Sequence, residues 1–322
     1  MKALLPLIVA ALVMPAAPVL AQTGDFPNKP IRLIVPFAPG GGGDGAIRPL
    51  APAMSSILGQ QAVVDNRGGA GGIIGMEIAA KSPADGYTLL MSTVGFTALP
   101  GLYKKLPFDP VKDFTGVIVA NSGIYILVVN PSLPLQSVKE LITYAKTNPG
   151  KLDYASAGSG STIHLAGELF KSMAGVSMVH VPYKGAGPAI VDVIGGQVKT
   201  MFASALNALS LIKAGKLRAL AVTSARRSAL APELPTISES GLPGFEVVGW
   251  YGLVAPAKTP KAIVQKLNAA LNRALESPDL IERLHAVGLE PVGGTPEQAT
   301  ALIKSDVTRW TQVIRDARIP PQ

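Results

Sequence analysis

Two glycine-rich stretches carry the chemistry this sequence is able to do. Pro39-Gly40-Gly41-Gly42-Gly43-Asp44 follows a β-rich run at 31–37 and precedes a helical pattern at 46–58. Ala157-Gly158-Ser159-Gly160-Ser161-Thr162 stands in the same position between a β-rich run at 152–155 and a helical pattern at 162–173. A strand, glycine loop and helix in that order present unpaired backbone N–H groups and the positive end of a helix dipole to an approaching anion. Glycine lets the backbone turn tightly and lets the anion come close to it. Either loop alone reads equally well as a tight turn, with Asp44 and Ser161 as plain N-caps. Two of them tilt the balance towards a cleft that pinches a ligand carrying one or two carboxylates.

Catalytic readings have less to stand on. Gly40, Gly42 and Gly45 fit G-x-G-x-x-G, and Asp65 ends the next strand about twenty residues on, the spacing of a dinucleotide fingerprint. Against it stand Pro36 and Pro39, which stiffen the turn, an Asp44 that would repel a pyrophosphate, and an export signal. The three histidines, His164, His180 and His285, form no H-x₃-H metal pair, and His164 with Glu168 reads as a polar pair on a helix surface. There is no G-x-S-x-G elbow and no lysine in a Walker A position after either loop. The absence of cysteine excludes thiol catalysis, thiolate metal sites, disulfides and a lipid-anchored cysteine. The expectation is a binding protein with no catalytic residues, no metal and no cofactor.

The elements that must position these loops alternate between β-like and helix-like, which predicts an α/β architecture with mostly parallel sheets. Strand-like runs fall at 61–65, 87–92, 124–130, 178–181, 198–202, 217–222 and 246–254, with a short one at 289–292. Helical segments are expected at 137–146, opened by a Ser137/Glu140 capping box, at 189–194, 208–214 and 261–275, and through most of 279–322. With 322 residues, 48% hydrophobic and only 5% aromatic, the chain is long enough for two cores packed by small aliphatic side chains. The apolar runs around 124–130 and 247–254 sit where the chain would cross between two lobes. Lobe 1 is then discontinuous, 25–122 plus 250–322, and lobe 2 is 127–245, with hinge strands near 123–127 and 246–250.

Residues 1–21 read as a cleavable signal peptide: Lys2 is the charged start, 3–19 is almost wholly apolar, and Val19-Leu20-Ala21 suits cleavage after Ala21. Pro6, Pro15 and Pro18 interrupt the run and argue against a membrane span. The formal charge of +8 becomes +7 when Lys2 leaves with the signal (8 − 1), and the basic residues are scattered. No aromatic-interleaved basic tract points to nucleic acid.

At these residues the sequence resembles the tripartite tricarboxylate transporter receptor family, the TctC-like or Bug proteins. The resemblance runs in order over nearly the whole mature chain. It starts with V-P-F-x-P-G-G-x-x-D-x-x-x-R from Val35 to Arg48 and Asn66-Arg67 before Gly69-Ala70-Gly71-Gly72. It continues through Asp85-Gly86-Tyr87-Thr88-Leu89-Leu90, His164-Leu165-Ala166-Gly167-Glu168 and His180-Val181-Pro182-Tyr183-Lys184-Gly185. The 213–222 stretch and Trp250-Tyr251-Gly252-Leu253-Val254-Ala255-Pro256 complete it.

The resemblance implies a periplasmic, type II-like Venus-flytrap receptor that is not an enzyme, each lobe a sheet flanked by helices. It implies capture of a small mono-, di- or aromatic carboxylate as a monomer and delivery to the membrane components of a tripartite transporter. A receptor that serves a signalling partner is the alternative, and a dinucleotide enzyme the remote one. Carried over by position, the ligand-binding residues are Phe37, Ala38, Gly40, Gly41, Asp44 and Thr93 in the first lobe. In the second they are Ser159, Gly160, Ser161, Thr162 and His164. Ala203 stands where many relatives carry Asp, which favours an acid without an ammonium group.

Overall fold

The computed structural model describes residues 26–321, so the signal peptide and its cut after Ala21 lie outside the described residues. The first part of the chain forms β1 (Ile31–Val35), α1 (Gly42–Ile47), α2 (Leu50–Leu58), β2 (Ala62–Asn66), α3 (Ile73–Ala80), β3 (Thr88–Thr93) and α4 (Val94–Leu102). A sixteen-residue strand, β4 (Phe114–Val129), follows. Then come α5 (Val138–Thr147), β5 (Asp153–Ser156), α6 (Thr162–Ala174), β6 (Val179–Pro182), α7 (Ala186–Ile194), β7 (Thr200–Ser204), α8 (Ala205–Lys213) and β8 (Arg218–Val222). The chain returns through β9 (Val248–Pro256) to α9 (Lys261–Leu275), α10 (Pro278–Ala286), β10 (Leu289–Gly293) and α11 (Pro296–Asp316).

The protein is α/β, and its strands make one curled mixed sheet in the order β2-β1-β3-β9-β4-β7-β5-β6, with β8 and β10 also on β4. β1 pairs in parallel with β2 and β3, and β5 in parallel with β6 and β7. β4 joins the two groups. Its residues 114–124 pair antiparallel with β9 and its residues 125–129 with β7 and β8. Register shifts at Gly116/Ile118 and Val119/Asn121 bend it along the way.

Each half has its own aromatic node despite the small number of rings. Phe96, Phe108 and Phe114 meet edge-on or stacked at 5.3–6.1 Å in one, and Phe170, Phe202 and Phe245 at 5.6–6.4 Å in the other. The C-terminal helix is pinned to the first half where the buried Trp250 Nε1 donates to Asp306 Oδ2 at 2.7 Å. Thr223 clamps the crossing point: its hydroxyl donates to the Val247 carbonyl at 2.6 Å and accepts the Tyr125 N–H at 3.1 Å. Among the described residues no helix is long and apolar enough to cross a membrane.

The single helix expected at 46–58 is two. Pro49 caps α2 and Pro52 lies in its first turn. Neither has an N–H to donate one turn back, so the ladder breaks between Ile47 and Leu50. β4 begins ten residues before the run at 124–130. Asn121-Ser122-Gly123 reads as a breaker in sequence, but Gly123 lies opposite Leu289 of β10, where a Cβ would come within 2.7 Å of the leucine side chain. The glycine is there for close approach rather than for a turn.

Candidate functional site

The parallel strands end at one crevice, and the helices that follow them begin there. Five helix N-termini face it: α1 capped by Gly41, α4 by Thr93, α6 by Ser161, α7 by Gly185 and α8 by Ser204. Gly41, Thr93, Ser161, Ala186 and Ser204 from these five starts line one small cavity of about 30 Å³. Phe37, Gly42, Gly43, Tyr125, Ala157, Thr162, Ile163 and Tyr251 complete its wall. That volume admits a couple of waters or the head of a small acid. Among the described residues, no charged side chain lines it. Its positive potential therefore comes from backbone N–H groups and helix dipoles.

The first loop is held from behind. Asp44 turns its carboxylate away from the cavity, accepting the Gly40 N–H at 3.1 Å, both arms of Arg48 at 2.6 and 3.0 Å, and Asn66 Nδ2 at 3.0 Å. Burial pushes the Asp44 carboxyl up, but the bonds from Arg48, Gly40 and Asn66 outweigh it and hold its pKa below the ordinary value. Asn66 also donates to the Phe37 carbonyl at 3.0 Å. Gly41 caps α1 without a side-chain bond, so the first N–H groups of that helix, at Gly42 and Gly43 on the cavity wall, have no intrahelical partner.

The second loop is built differently. Gly158 and Gly160 both adopt positive φ, +120° and +82°. Their N–H groups point inward: Gly160 donates to His164 Nδ1 at 3.1 Å, and Gly158 to Ser156 Oγ at 3.0 Å. Ser161 Oγ accepts the His164 N–H at 3.3 Å as N-cap of α6. Thr162 and Ile163, at the first turn, line the cavity, and their N–H groups find no acceptor among the described residues.

Tyr125 of β4 and Tyr251 of β9 form the floor, and burial raises the pKa of both phenols, so both are neutral. The two halves already touch around the cavity. The Ala38 N–H donates to the Lys184 carbonyl at 3.1 Å, and Asn207 Nδ2 to the Gly40 carbonyl at 3.2 Å. Gly71 lies so close to the Ser159 carbonyl that a Cβ on it would come within 1.8 Å of that oxygen.

Of the residues singled out from sequence, Phe37, Gly41, Thr93, Ser161 and Thr162 line the cavity. Gly40 and Gly160 belong to the loops but give their N–H groups to Asp44 and His164, which lie behind the loops and brace them. Ala38 and Ser159 sit where the halves meet. Ala203 is buried on β7 opposite Ile126. Asp65, the acid of the dinucleotide spacing, is bound on β2 by Arg32 and Arg67, at 2.6 and 3.1 Å. Sequence reasoning missed Tyr125, Tyr251, Ile163, Ala186 and Ser204, and it placed Gly42, Gly43 and Ala157 in the glycine stretches without assigning them to the wall. The tyrosines were findable, since both fall in the expected crossing runs.

The profile of the tripartite tricarboxylate transporter family receptor matches residues 46–319. BugT of Bordetella pertussis is 41% identical over 307 residues, covering 94% of this chain and 92% of its own. A protein of R. palustris solved with adipate superposes with a TM-score of 0.88 at 40% identity, over 92% of this chain and all of that one. MatC of Rhodopseudomonas palustris, solved with bound malate, gives 0.85 at 34% identity over 90% of this chain and all of its own.

Proposed function

This chain belongs to the tripartite tricarboxylate transporter receptor family of non-enzymatic periplasmic solute-binding proteins, and from that premise we propose that it captures a small carboxylate in the cavity between its two halves. The observation that carries this is the convergence of five helix N-termini on one cavity with no charged side chain on its wall. Backbone donors recognise a carboxylate without an arginine. We assign the donor role to the first turn of α1 in one half and to Thr162 and Ile163 in the other. The relatives solved with adipate and malate support an acid as the ligand class. With no acidic side chain on the wall, an ammonium group would lie unpaired among helix N-termini, so amino acids are poor ligands.

In this reading the halves are lobes, 25–122 plus 250–322 and 127–245, that close about the strands near 123–127 and 246–250. The closed form, with its ligand, is what the membrane components of a tripartite transporter receive. A thermal-shift series on the mature protein with adipate, malate, succinate and benzoate, alongside aspartate and glutamate, tests the binding step. Ligand at a hundredfold excess over Kd stabilises the folded state by about 2.7 kcal/mol, a visible rise in Tm. A rise with an acid and none with the amino acids supports the reading; no rise with any acid refutes it.

A further inference from the structure

Beneath the second glycine loop lies a polar stack that the binding step does not touch, and it includes His164 and Glu168, which are buried rather than on the helix surface expected from their spacing. The imidazoles of His164 and His180 face each other with centroids 4.2 Å apart and planes tilted by 30°. The Tyr154 ring stacks on His180 at 5.0 Å. His180 Nε2 lies 2.6 Å from Ser156 Oγ, the acceptor of the Gly158 N–H, while His164 Nδ1 accepts the Gly160 N–H directly. The charges that face the pair are Glu168 and Lys171. Glu168 Oε1 is 3.9 Å from His164 Nε2, accepts the Tyr154 hydroxyl at 2.5 Å and pairs with Lys171 Nζ at 2.7 Å.

We infer that His164 and His180 are positioning residues for ligand capture: His164 takes up the Gly160 N–H directly, His180 holds the Ser156 hydroxyl that takes up the Gly158 N–H, and together they aim the first turn of α6 at the cavity. The inference rests on the carboxylate reading above. A loop with two glycines at positive φ has many conformations open to it, and something must select one. Its inward N–H groups are buried, and a buried donor without an acceptor is costly, so the acceptors select the conformation in which both are satisfied.

Only a neutral His164 can take up the Gly160 N–H. A proton on His164 Nδ1 would set one donor against another at Gly160. Burial, reinforced by the nearby Lys171, lowers the pKa of His164 to about 4. Burial, with His164 next, lowers that of His180 to about 3. Both are neutral at neutral pH, which leaves His164 Nδ1 free to accept. The tautomer is fixed as well, since accepting at Nδ1 places the His164 proton on Nε2, the side of Glu168.

Two measurements decide it. In wild-type protein, nitrogen NMR should show His164 neutral with its proton on Nε2, and a coupling across the hydrogen bond between the Gly160 amide and Nδ1. Calorimetry then uses whichever of adipate, malate, succinate and benzoate raises the wild-type Tm most. His164→Phe should weaken binding at least roughly tenfold, as expected for a buried donor left unpaired. His164→Asn, whose Oδ1 takes the place of Nδ1, should recover most of that loss, and Ser156→Ala should show a smaller one. A proton on Nδ1, or a folded His164→Phe with wild-type affinity, overturns the inference. Should His164→Phe fail to fold, Ser156→Ala and the spectrum carry the decision. Wild-type protein that takes none of the acids removes the receptor reading instead, and the spectrum still judges the loop.

Discussion

The phenol oxygens of Tyr125 and Tyr251 lie 3.3 Å apart at the floor of the cavity, one on each of the strands that join the two halves. In the proposed closure of the halves, a rotation about these strands would move both hydroxyls and so couple closure to completion of the floor. The Tyr251 hydroxyl also reaches the first loop, where a Cβ on Gly42 would come within 3.1 Å of it. It is therefore placed to bond an oxygen held at the start of α1. Tyr251→Phe keeps the ring and removes this bond. We expect affinity for the preferred acid to fall roughly three- to tenfold, the worth of a typical hydrogen bond, with little change in Tm. Calorimetry checks this, and an unchanged affinity would mean the phenol serves packing alone.

Gly71 tests whether closure is needed for binding. Its φ is +65°, and a methyl group there would lie 1.8 Å from the Ser159 carbonyl of the opposite half. Gly71→Ala strains its turn locally, by about 1 kcal/mol, but forbids the contact between halves outright. The variant should fold, stay more open with ligand than wild type in small-angle scattering, and bind less tightly. A radius of gyration equal to that of the closed wild type would refute the steric argument.

Acid should weaken the fold before it affects the carboxylate braces. His164 and His180 titrate near 4 and 3 in the folded protein, below the ordinary value of 6.5. Between that value and the folded ones the unfolded chain binds the extra protons, so stability falls as the pH drops through this window. Each histidine contributes a slope of up to about 1.4 kcal/mol per pH unit. Asp44 and Asp65, whose pKa values lie below the ordinary carboxylate value, lose their contribution only at lower pH. Urea midpoints at pH 7 and pH 5 should differ clearly in wild type and less in His164→Asn. Equal midpoints in wild type would show that the pair is not buried in the neutral form.

The loops and the α/β alternation were legible because they rest on local chemistry: glycine runs between a β-rich segment and a helical one, and N-caps such as Ser137 and Ser161, both of which accept an N–H three residues on. The division of labour inside the loops was not. Nothing in the order of residues says that the Gly160 N–H turns inward to His164 while Ile163 lines the cavity, because all three belong to one short stretch of loop and first helical turn. α3 and α4 escaped notice for a related reason. Gly75 in α3, and Gly95 and Pro100 in α4, lower helix propensity, yet Gly75 and Gly95 lie where a Cβ would meet neighbouring backbone within 2.7–2.8 Å. Close packing chose those glycines over helix propensity.

A negative charge at either helix start should abolish binding without unfolding the protein. Ser161 is an N-cap whose Oγ accepts the His164 N–H, and aspartate caps a helix equally well, so Ser161→Asp preserves α6. Gly41 has φ −83° and ψ 172°, extended backbone open to any residue, and a Cβ there meets nothing nearer than 3.4 Å. Gly41→Asp should therefore fold as well. Both new carboxylates would stand on the cavity wall at the positive end of a helix, where acidic groups are favourable by roughly 0.3–1 kcal/mol. They would occupy the position assigned to the ligand's own carboxylate and repel it. Melting temperatures should hold or rise slightly, while calorimetry detects no acid binding in either variant. If only Gly41→Asp loses binding and Ser161→Asp keeps wild-type affinity, the ligand is held by the first loop alone and the second loop is a turn.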